Sequence, residues 1–186
     1  MKVHQHLLCC AVVVLLYGLL SLAKADGPLD KAVPDYELDI GVQKQVDQYP
    51  AVESKIKYLS SLVAEKEDSS NITNNIRKSS AILLLGKIGD TNVIDILVTN
   101  LTYFDKCHNG YPACRALIGI GEKAVPQLLE VLKDSNDEKK ISFAASTIGL
   151  IESRSGNWKE FGEQQKKTLP KKAWDRLMRY VVVVSP

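Results

Sequence analysis

The chain has few of the residues that carry enzyme chemistry. It contains three histidines, and two of them stand within the first six residues, so His108 alone is available to the rest of the chain. A serine or cysteine nucleophile that needs a histidine as its base would therefore have to use His108. Acidic pairs such as Asp134 and Asp137 fall where loops and helix ends are expected, which are ordinary solvated positions. The sequence therefore predicts no catalytic site.

An excess of charge of one sign is missing as well. Outside residues 1–25 the chain carries 22 basic and 22 acidic side chains. Nucleic-acid-binding proteins show a dominant basic excess, so no nucleic-acid partner is expected. The balance hides an asymmetry, because residues 26–105 hold 13 acids and 8 bases whereas residues 106–186 hold 9 acids and 14 bases. An acidic half is thus joined to a basic half.

Signals for a cofactor or a metal are also scarce. Several glycines occur where helices are expected to pack or to end, and no strand precedes them as a phosphate-binding loop requires. These glycines are Gly86, Gly89, Gly119 and Gly121. Cys107, His108 and Cys114 have a spacing that matches no zinc site. We therefore expect neither a cofactor nor a metal ion.

The longest apolar run lies near the N-terminus, at residues 7–22, and contains no charged residue. Lys2 precedes it, and the small residues Ala23 and Ala25 follow at the two positions that a signal peptidase reads. We therefore expect residues 1–25 to be a signal peptide, cleaved after Ala25, and the chain to be exported to the periplasm or the extracellular space. An uncleaved anchor is the alternative, but the run is shorter than the roughly 20 residues that a spanning helix needs.

Export would have two covalent consequences. Cleavage leaves Cys107 and Cys114, and because disulfides persist outside the cytoplasm we expect these two cysteines to be joined. Zinc binding by the same cysteines is the competing interpretation. Asn71 and Asn100 each open an Asn-x-Thr triplet, so both are candidate N-glycosylation sites if the source glycosylates.

Helical periodicity follows a polar lead-in. Residues 26–50 contain three prolines and little periodicity, so we expect an irregular, extended segment with at most one short helix, at 41–48. The string IRKSSAILLLGKIGD at residues 76–90 then predicts an amphipathic helix that Gly89 ends. Asp90 is suited to cap a second helix, which would complete a helical hairpin.

The apolar pattern of this first helix recurs at a period of about 30 residues. Three positions recur after 32 residues and again after a further 31: Ala81, Leu85 and Ile88, then Ala113, Leu117 and Ile120, then Ala144, Ile148 and Ile151. Such self-similarity is typical of antiparallel helix pairs that stack because none can bury its apolar face alone. We therefore predict an all-α repeat domain over residues 51–186. Its copies fall at about 76–105, 111–134 and 136–152, and a capping segment follows at 157–184.

The strings IRKSSAILLLGKIGD and IGEKAVPQLLEVLKD resemble HEAT-like repeats of the short type. The third copy departs from that pattern, because it reads Gly149-Leu150-Ile151-Glu152 and so has Glu152 where the final glycine should stand. The resemblance implies a short α-solenoid that binds another protein along a curved surface, and it implies no reaction. It also implies that the second helices, at 92–101 and 123–133, line that surface. The polar positions expected to contact the partner are Asp95, Thr99, Gln127 and Glu130.

A basic C-terminal segment supports a different hypothesis. Residues 170–184 are expected to form the capping helix, although the four valines from Val181 onward favour extended structure. Its cationic residues are Lys171, Lys172, Arg176 and Arg179. A basic amphipathic helix binds anionic membranes or polysaccharides. The sequence therefore leaves two hypotheses: an exported, non-catalytic protein-binding scaffold, and a module that binds an anionic surface through this helix.

Overall fold

Helices make up the regular structure of the part of the chain that the computed structural model describes. That part comprises residues 38–65, 71–107 and 109–181. It contains one isolated bridge between two residues and no named strand, so the predicted all-α class is confirmed. The expected signal peptide, most of the lead-in and His108 lie outside the described residues.

Nine α-helices follow one another along the described ranges. They are α1 (Ile40–Asp47), α2 (Val52–Ala64), α3 (Ile72–Ile88), α4 (Ile94–Thr99), α5 (Pro112–Ile120), α6 (Val125–Asp134), α7 (Glu138–Arg154), α8 (Trp158–Thr168) and α9 (Lys171–Tyr180). Two 3₁₀ turns, Thr91–Val93 and Gly121–Ala124, lead into α4 and α6. No helix within these ranges combines the length and the apolarity that crossing a lipid bilayer requires.

Polar side chains fix where the helices begin. Asn71 accepts a hydrogen bond from the backbone amide of Asn74 and so starts α3. Asp90 accepts one from the amide of Asn92 and so caps the 3₁₀ turn Thr91–Val93 that leads into α4. Asp137 caps α7, with hydrogen bonds of 2.9 and 3.1 Å from the two amides that follow Glu138. Helices α3 and α7 therefore begin at positions that local sequence dictates, and α4 follows a turn that Asp90 caps.

A glycine ends the first helix of the repeated pattern. Gly89 has a φ of 65°, and its amide donates to the carbonyl oxygen of Leu85. Residues with a Cβ rarely adopt this left-handed conformation, so glycine is the residue suited to it. The predicted end of α3 is confirmed.

The helices pack as two sets of neighbours. α1 contacts α3, α3 contacts α5, and α5 contacts α7. On the other side, α4 contacts α6, and α6 contacts α9. The two sets are joined because α4 packs on α5, α6 packs on α7, and α7 packs on α9. Helix α2 packs on α1 and α3, and α8 packs on α7 and α9.

The core is built from the positions that recur in the sequence. In the first helix of each pair, which is α3, α5 or α7, two of the recurring positions are fully buried. These residues are Ala81, Leu85, Ala113, Leu117, Ala144 and Ile148. Leucines of the second part of each pair are buried as well: Leu97 of α4, Leu101 just beyond α4, and Leu128 and Leu132 of α6. Burying each such leucine contributes about 2 kcal/mol to folding. The repeated apolar pattern therefore identifies the core.

The loop at residues 103–110 is held by its own backbone. The amide of Asp105 donates to the carbonyl oxygen of Gly110 at 2.8 Å, and the amide of Gly110 donates back at 3.2 Å. The carboxylate of Asp105 is fully buried and accepts a 2.8 Å hydrogen bond from the amide of Cys107. This loop carries Cys107 into solvent.

The predicted disulfide between Cys107 and Cys114 is wrong, because neither cysteine is bonded. Cys114 lies in the first turn of α5, where its thiol is buried and lies 3.5 Å from the carbonyl oxygen of Leu101. Cys107 is exposed on the preceding loop. Closeness in sequence did not produce a bridge because the helix directs one sulfur into the core while the loop leaves the other outside.

Candidate functional site

The four residues expected to contact a partner lie on two helices that pack side by side. Asp95 and Thr99 belong to α4, Gln127 and Glu130 belong to α6, and α4 contacts α6. Asp95, Thr99 and Glu130 are exposed, and Gln127 is half-buried. We call these four residues the α4–α6 surface. The apolar side chains of both helices turn to the core and leave Asp95, Thr99 and Glu130 exposed, whereas the Oε1 atom of Gln127 is buried.

Local contacts set the charge of the α4–α6 surface. Asp95 makes no ion pair with any described residue, so its carboxylate is uncompensated. Glu130 pairs with Lys133 on the same helix, with 2.7 Å between the Oε1 and Nζ atoms. The hydroxyl of Thr99 donates to the carbonyl oxygen of Asp95 at 2.8 Å. The surface therefore presents one unpaired carboxylate beside a solvent-exposed ion pair.

The basic helix α9 differs from its prediction at one residue. Lys171, Lys172 and Arg179 are exposed, but Arg176 is only 8% exposed. Its guanidinium donates to the carbonyl oxygens of Leu132 and Lys133, at 2.7 and 3.3 Å. Those oxygens belong to the last turn of α6, where carbonyl groups have no partner within the helix. Arg176 therefore caps α6, and its assignment to a basic outer face is wrong.

Sequence reasoning missed a small polar cavity beside the loop at 103–110. The cavity has a volume of about 400 Å³ and lies where the end of α4, the loop and the start of α7 meet. Its lining residues are Thr99, Asn100, Thr102, Tyr103, Phe104, Lys106 and Lys139. The sequence signal that could have indicated the cavity is the loop, because residues 103–110 interrupt the repeated helical pattern. Thr99 belongs both to this cavity and to the α4–α6 surface.

A buried carboxyl group lies on the opposite end of α7. Glu152 is only 5% exposed, and burial raises the pKa of its carboxyl group above the usual 4.5. The negative charge of Glu122 raises this pKa further. The Nδ2 amide of Asn157 donates to Glu122 at 3.0 Å, which holds Glu122 near this position. The Glu152 carboxylate is thus less favourable here than in water.

The two described cysteines differ in environment, because Cys107 is exposed and Cys114 is buried. Burial raises the pKa of the Cys114 thiol to about 12, so the thiol is protonated at neutral pH. Within the described ranges, no three histidine, cysteine, aspartate or glutamate side chains are grouped so as to hold a metal ion. His108, the histidine that a catalytic site would need, lies outside those ranges.

The candidate glycan acceptors occupy helix ends. Asn71 is half-buried and its side-chain oxygen caps α3, which leaves the Nδ2 atom for a glycan. The Nδ2 atom of Asn100 donates to the carbonyl oxygen of Ile96 at 2.9 Å. A glycan replaces one of the two hydrogens on this nitrogen, so a single N–H of Asn100 would remain for the hydrogen bond at the end of α4.

Comparisons with known proteins add no relative to this description. Scans of protein-family models, of curated proteins and of solved structures gave no match to this chain. The resemblance to HEAT-like repeats therefore rests on the residues quoted from the sequence.

Proposed function

We propose that the chain is a short α-solenoid of HEAT-like helix pairs, exported after cleavage behind Ala25, that binds another protein without catalysis. The contacts between successive helices support the solenoid, because α3, α5 and α7 pack in sequence order and so do α4, α6 and α9. Stacking of this kind is how helix pairs build an extended binding face.

The observation that carries the binding proposal is the pairing of α4 and α6 with polar side chains outward. Asp95 and Glu130 are exposed on neighbouring helices of this one side. In the proposed solenoid these second helices form the partner-facing surface, as they do in the HEAT-like proteins that the sequence resembles. The partner would then present basic side chains to Asp95, which has no counter-charge among the described residues.

A second candidate function is attachment to an anionic surface through α9. Lys171, Lys172 and Arg179 are exposed on this helix, and Met178 beside them is 48% exposed. Such a face suits a membrane or an acidic polysaccharide. Arg176 cannot contribute, because its guanidinium is engaged by the end of α6. The loss of one of the four cations weakens this candidate relative to the α4–α6 surface.

Site-specific photo-crosslinking tests the binding proposal. A benzophenone amino acid replaces Asp95 in one variant and Glu163, an exposed acid on α8, in a matched control. In medium from the exporting cells, we expect the Asp95 position to give one discrete protein adduct that the Glu163 position does not give. Adducts from Glu163 alone would contradict the proposal.

Ionic strength separates the two candidates. Raising the salt concentration from about 0.1 M to 1 M shortens the Debye length from about 10 Å to about 3 Å, so binding by exposed lysines collapses. We expect the adduct at position 95 to persist in high salt if shape and apolar contacts contribute to binding. Retention on anionic vesicles that high salt abolishes, with no protein adduct, would favour α9 instead.

A further inference from the structure

The cavity beside the loop at 103–110 has the composition of an anion site. Its seven lining residues include two cations, Lys106 and Lys139, and no acidic residue. Neither ammonium group forms an ion pair with any of the described residues. Clefts lined by charge of one sign raise the local concentration of the opposite ion. The charge of this cavity is therefore uncompensated and positive.

Lys139 is directed to the cavity by its neighbours. Its Nζ atom lies 3.5 Å from the carbonyl oxygen of Thr102. The same atom lies 5.9 Å from the ring centre of Tyr111 and 6.0 Å from that of Phe143. These two rings pack together, with 4.3 Å between their centres. The ammonium group is thus held by a carbonyl oxygen and two aromatic faces, which also attract a cation.

The loop fixes the other side of the cavity. Asp105 and Gly110 exchange two backbone hydrogen bonds, and the ring of Phe104 lies 5.1 Å from that of Tyr111. Lys106 follows the buried Asp105 and is exposed, so its ammonium group is available to a ligand. Both lysines therefore extend from parts of the chain that their own contacts hold in place.

From these observations we infer that the cavity binds a small polar molecule that carries an oxyanion. The two ammonium groups would contact the oxyanion, and Thr102 and Asn100 supply polar groups to hydroxyls on the same molecule. A volume of about 400 Å³ lies at the small end of the range for ligand cavities, which fits a molecule no larger than a sugar acid or a sugar phosphate. This inference is independent of protein binding by the α4–α6 surface.

Titration with three probes tests the inference and identifies the source of the oxyanion. The probes are inorganic phosphate, glucuronate and uncharged glucose, each followed by backbone amide shifts in NMR spectra of the purified protein. We expect phosphate or glucuronate to bind with a Kd of about 1 mM and to shift the amides around Lys106 and Lys139. Stronger binding of glucuronate would indicate sugar acids, and stronger binding of phosphate would indicate phosphate esters. Glucose that binds as tightly as both anions would overturn the inference.

The variant K106Q/K139Q removes both ammonium groups, and K87Q/K123Q removes two exposed lysines elsewhere. We expect the first variant to bind the anion at least about tenfold more weakly and the second to bind it like the wild type. Thermal midpoints of all variants check that the fold is retained. Unchanged anion binding by K106Q/K139Q, or shifts centred on α9 instead of the cavity, would refute the site.

Discussion

Gly86 determines how closely α3 and α5 approach each other. A Cβ atom at this position would lie 2.5 Å from the Cβ atom of Ala116 and 2.8 Å from its Cα atom. The second of these atoms is backbone, so the clash could be relieved only by moving a helix. Close contact between the first helices of successive pairs therefore depends on the absence of one side chain.

We expect the substitution Gly86→Ala to lower the free energy of unfolding by about 1–3 kcal/mol, because it overpacks this contact. Urea denaturation measures the change. Gly119→Ala is the matched control on α5, since a Cβ there meets nothing within 4 Å. That substitution should be neutral or slightly stabilising, because alanine favours a helix more than glycine does. Equal effects of the two substitutions would show that the α3–α5 contact is looser than described.

Arg176 was predicted to lie on an exposed basic face, but it is buried and caps α6. Replacing it with methionine keeps the length of the side chain but leaves the carbonyl oxygens of Leu132 and Lys133 without their donor. We expect Arg176→Met to destabilise the protein by about 2–3 kcal/mol, the range for hydrogen bonds to a charged group. Arg179→Met is the control, because Arg179 is exposed on the same helix, and it should change stability by less than about 0.5 kcal/mol. Thermal denaturation of both variants shows whether Arg176 stabilises the end of α6 or acts only as a surface charge.

The two cysteines should differ in reactivity. Cys107 is exposed, whereas burial raises the pKa of the Cys114 thiol to about 12 and keeps it protonated. In the folded protein at pH 8, iodoacetamide should therefore modify Cys107 and leave Cys114 unmodified until denaturant is added. Peptide mapping by mass spectrometry measures how far each of the two cysteines is modified. Protection of both cysteines until a reducing agent is added would instead indicate a disulfide.

At the scale of secondary-structure elements, α7 carries a carboxyl group against the 3₁₀ turn that precedes α6. Burial of Glu152 and its repulsion by Glu122 raise the pKa of the Glu152 carboxyl group. Within a pH window that begins near 4.5, the native state therefore retains a proton that the unfolded state has lost. The contribution of this group to stability is greatest below that window and is lost as the pH rises through the native pKa.

We expect Glu152→Gln to remove this contribution to the pH dependence. The free energy of unfolding of this variant should fall less than that of the wild type as the pH is raised from about 4.5 to 7. The reason is that the glutamine amide cannot ionise. Urea midpoints across this range measure the difference. The control is Glu160→Gln on α8, since Glu160 is exposed and its removal should leave the pH profile of the wild type. Coincident profiles for all three proteins would contradict the description of Glu152.

The helices that short-range signals specify were the predictable ones. Gly89 ends α3 as expected, and Asp90 caps the 3₁₀ turn that leads into α4. The recurring alanines and leucines identified the buried positions for the same reason, since helical periodicity is a property of nearby residues. Sequence alone could therefore locate most of the core and the two helices of the α4–α6 surface.

Features that depend on distant contacts were not predictable. Arg176 caps a helix that lies more than 40 residues earlier in the chain, which no local pattern indicates. Cys114 is kept from Cys107 by the direction in which α5 presents its side chain. The cavity combines a loop with the start of α7, more than 30 residues further on, so its two lysines are not neighbours in sequence. Each of these requires knowledge of how the elements pack.

At the scale of the whole molecule, α4 and α6 pack side by side and expose Asp95 and Glu130. Among the described residues, those at 38–105 carry 7 acids and 6 bases, whereas those at 106–181 carry 9 acids and 14 bases. The proposed partner surface combines Asp95, from the nearly neutral part, with α6, from the part that has a basic excess.

The most direct test of this proposal is the affinity of the crosslinked partner for a charge-reversed variant. Asp95→Lys with Glu130→Lys changes both carboxylates of the α4–α6 surface, and Glu163→Lys with Asp175→Lys makes the same change of charge on α8 and α9. The exposed pair between Glu130 and Lys133 contributes at most about 1 kcal/mol, so the variant should remain folded. We predict that calorimetry will show at least about tenfold weaker binding for the first variant and unchanged binding for the second. Wild-type affinity in the first variant would contradict the assignment of the binding surface.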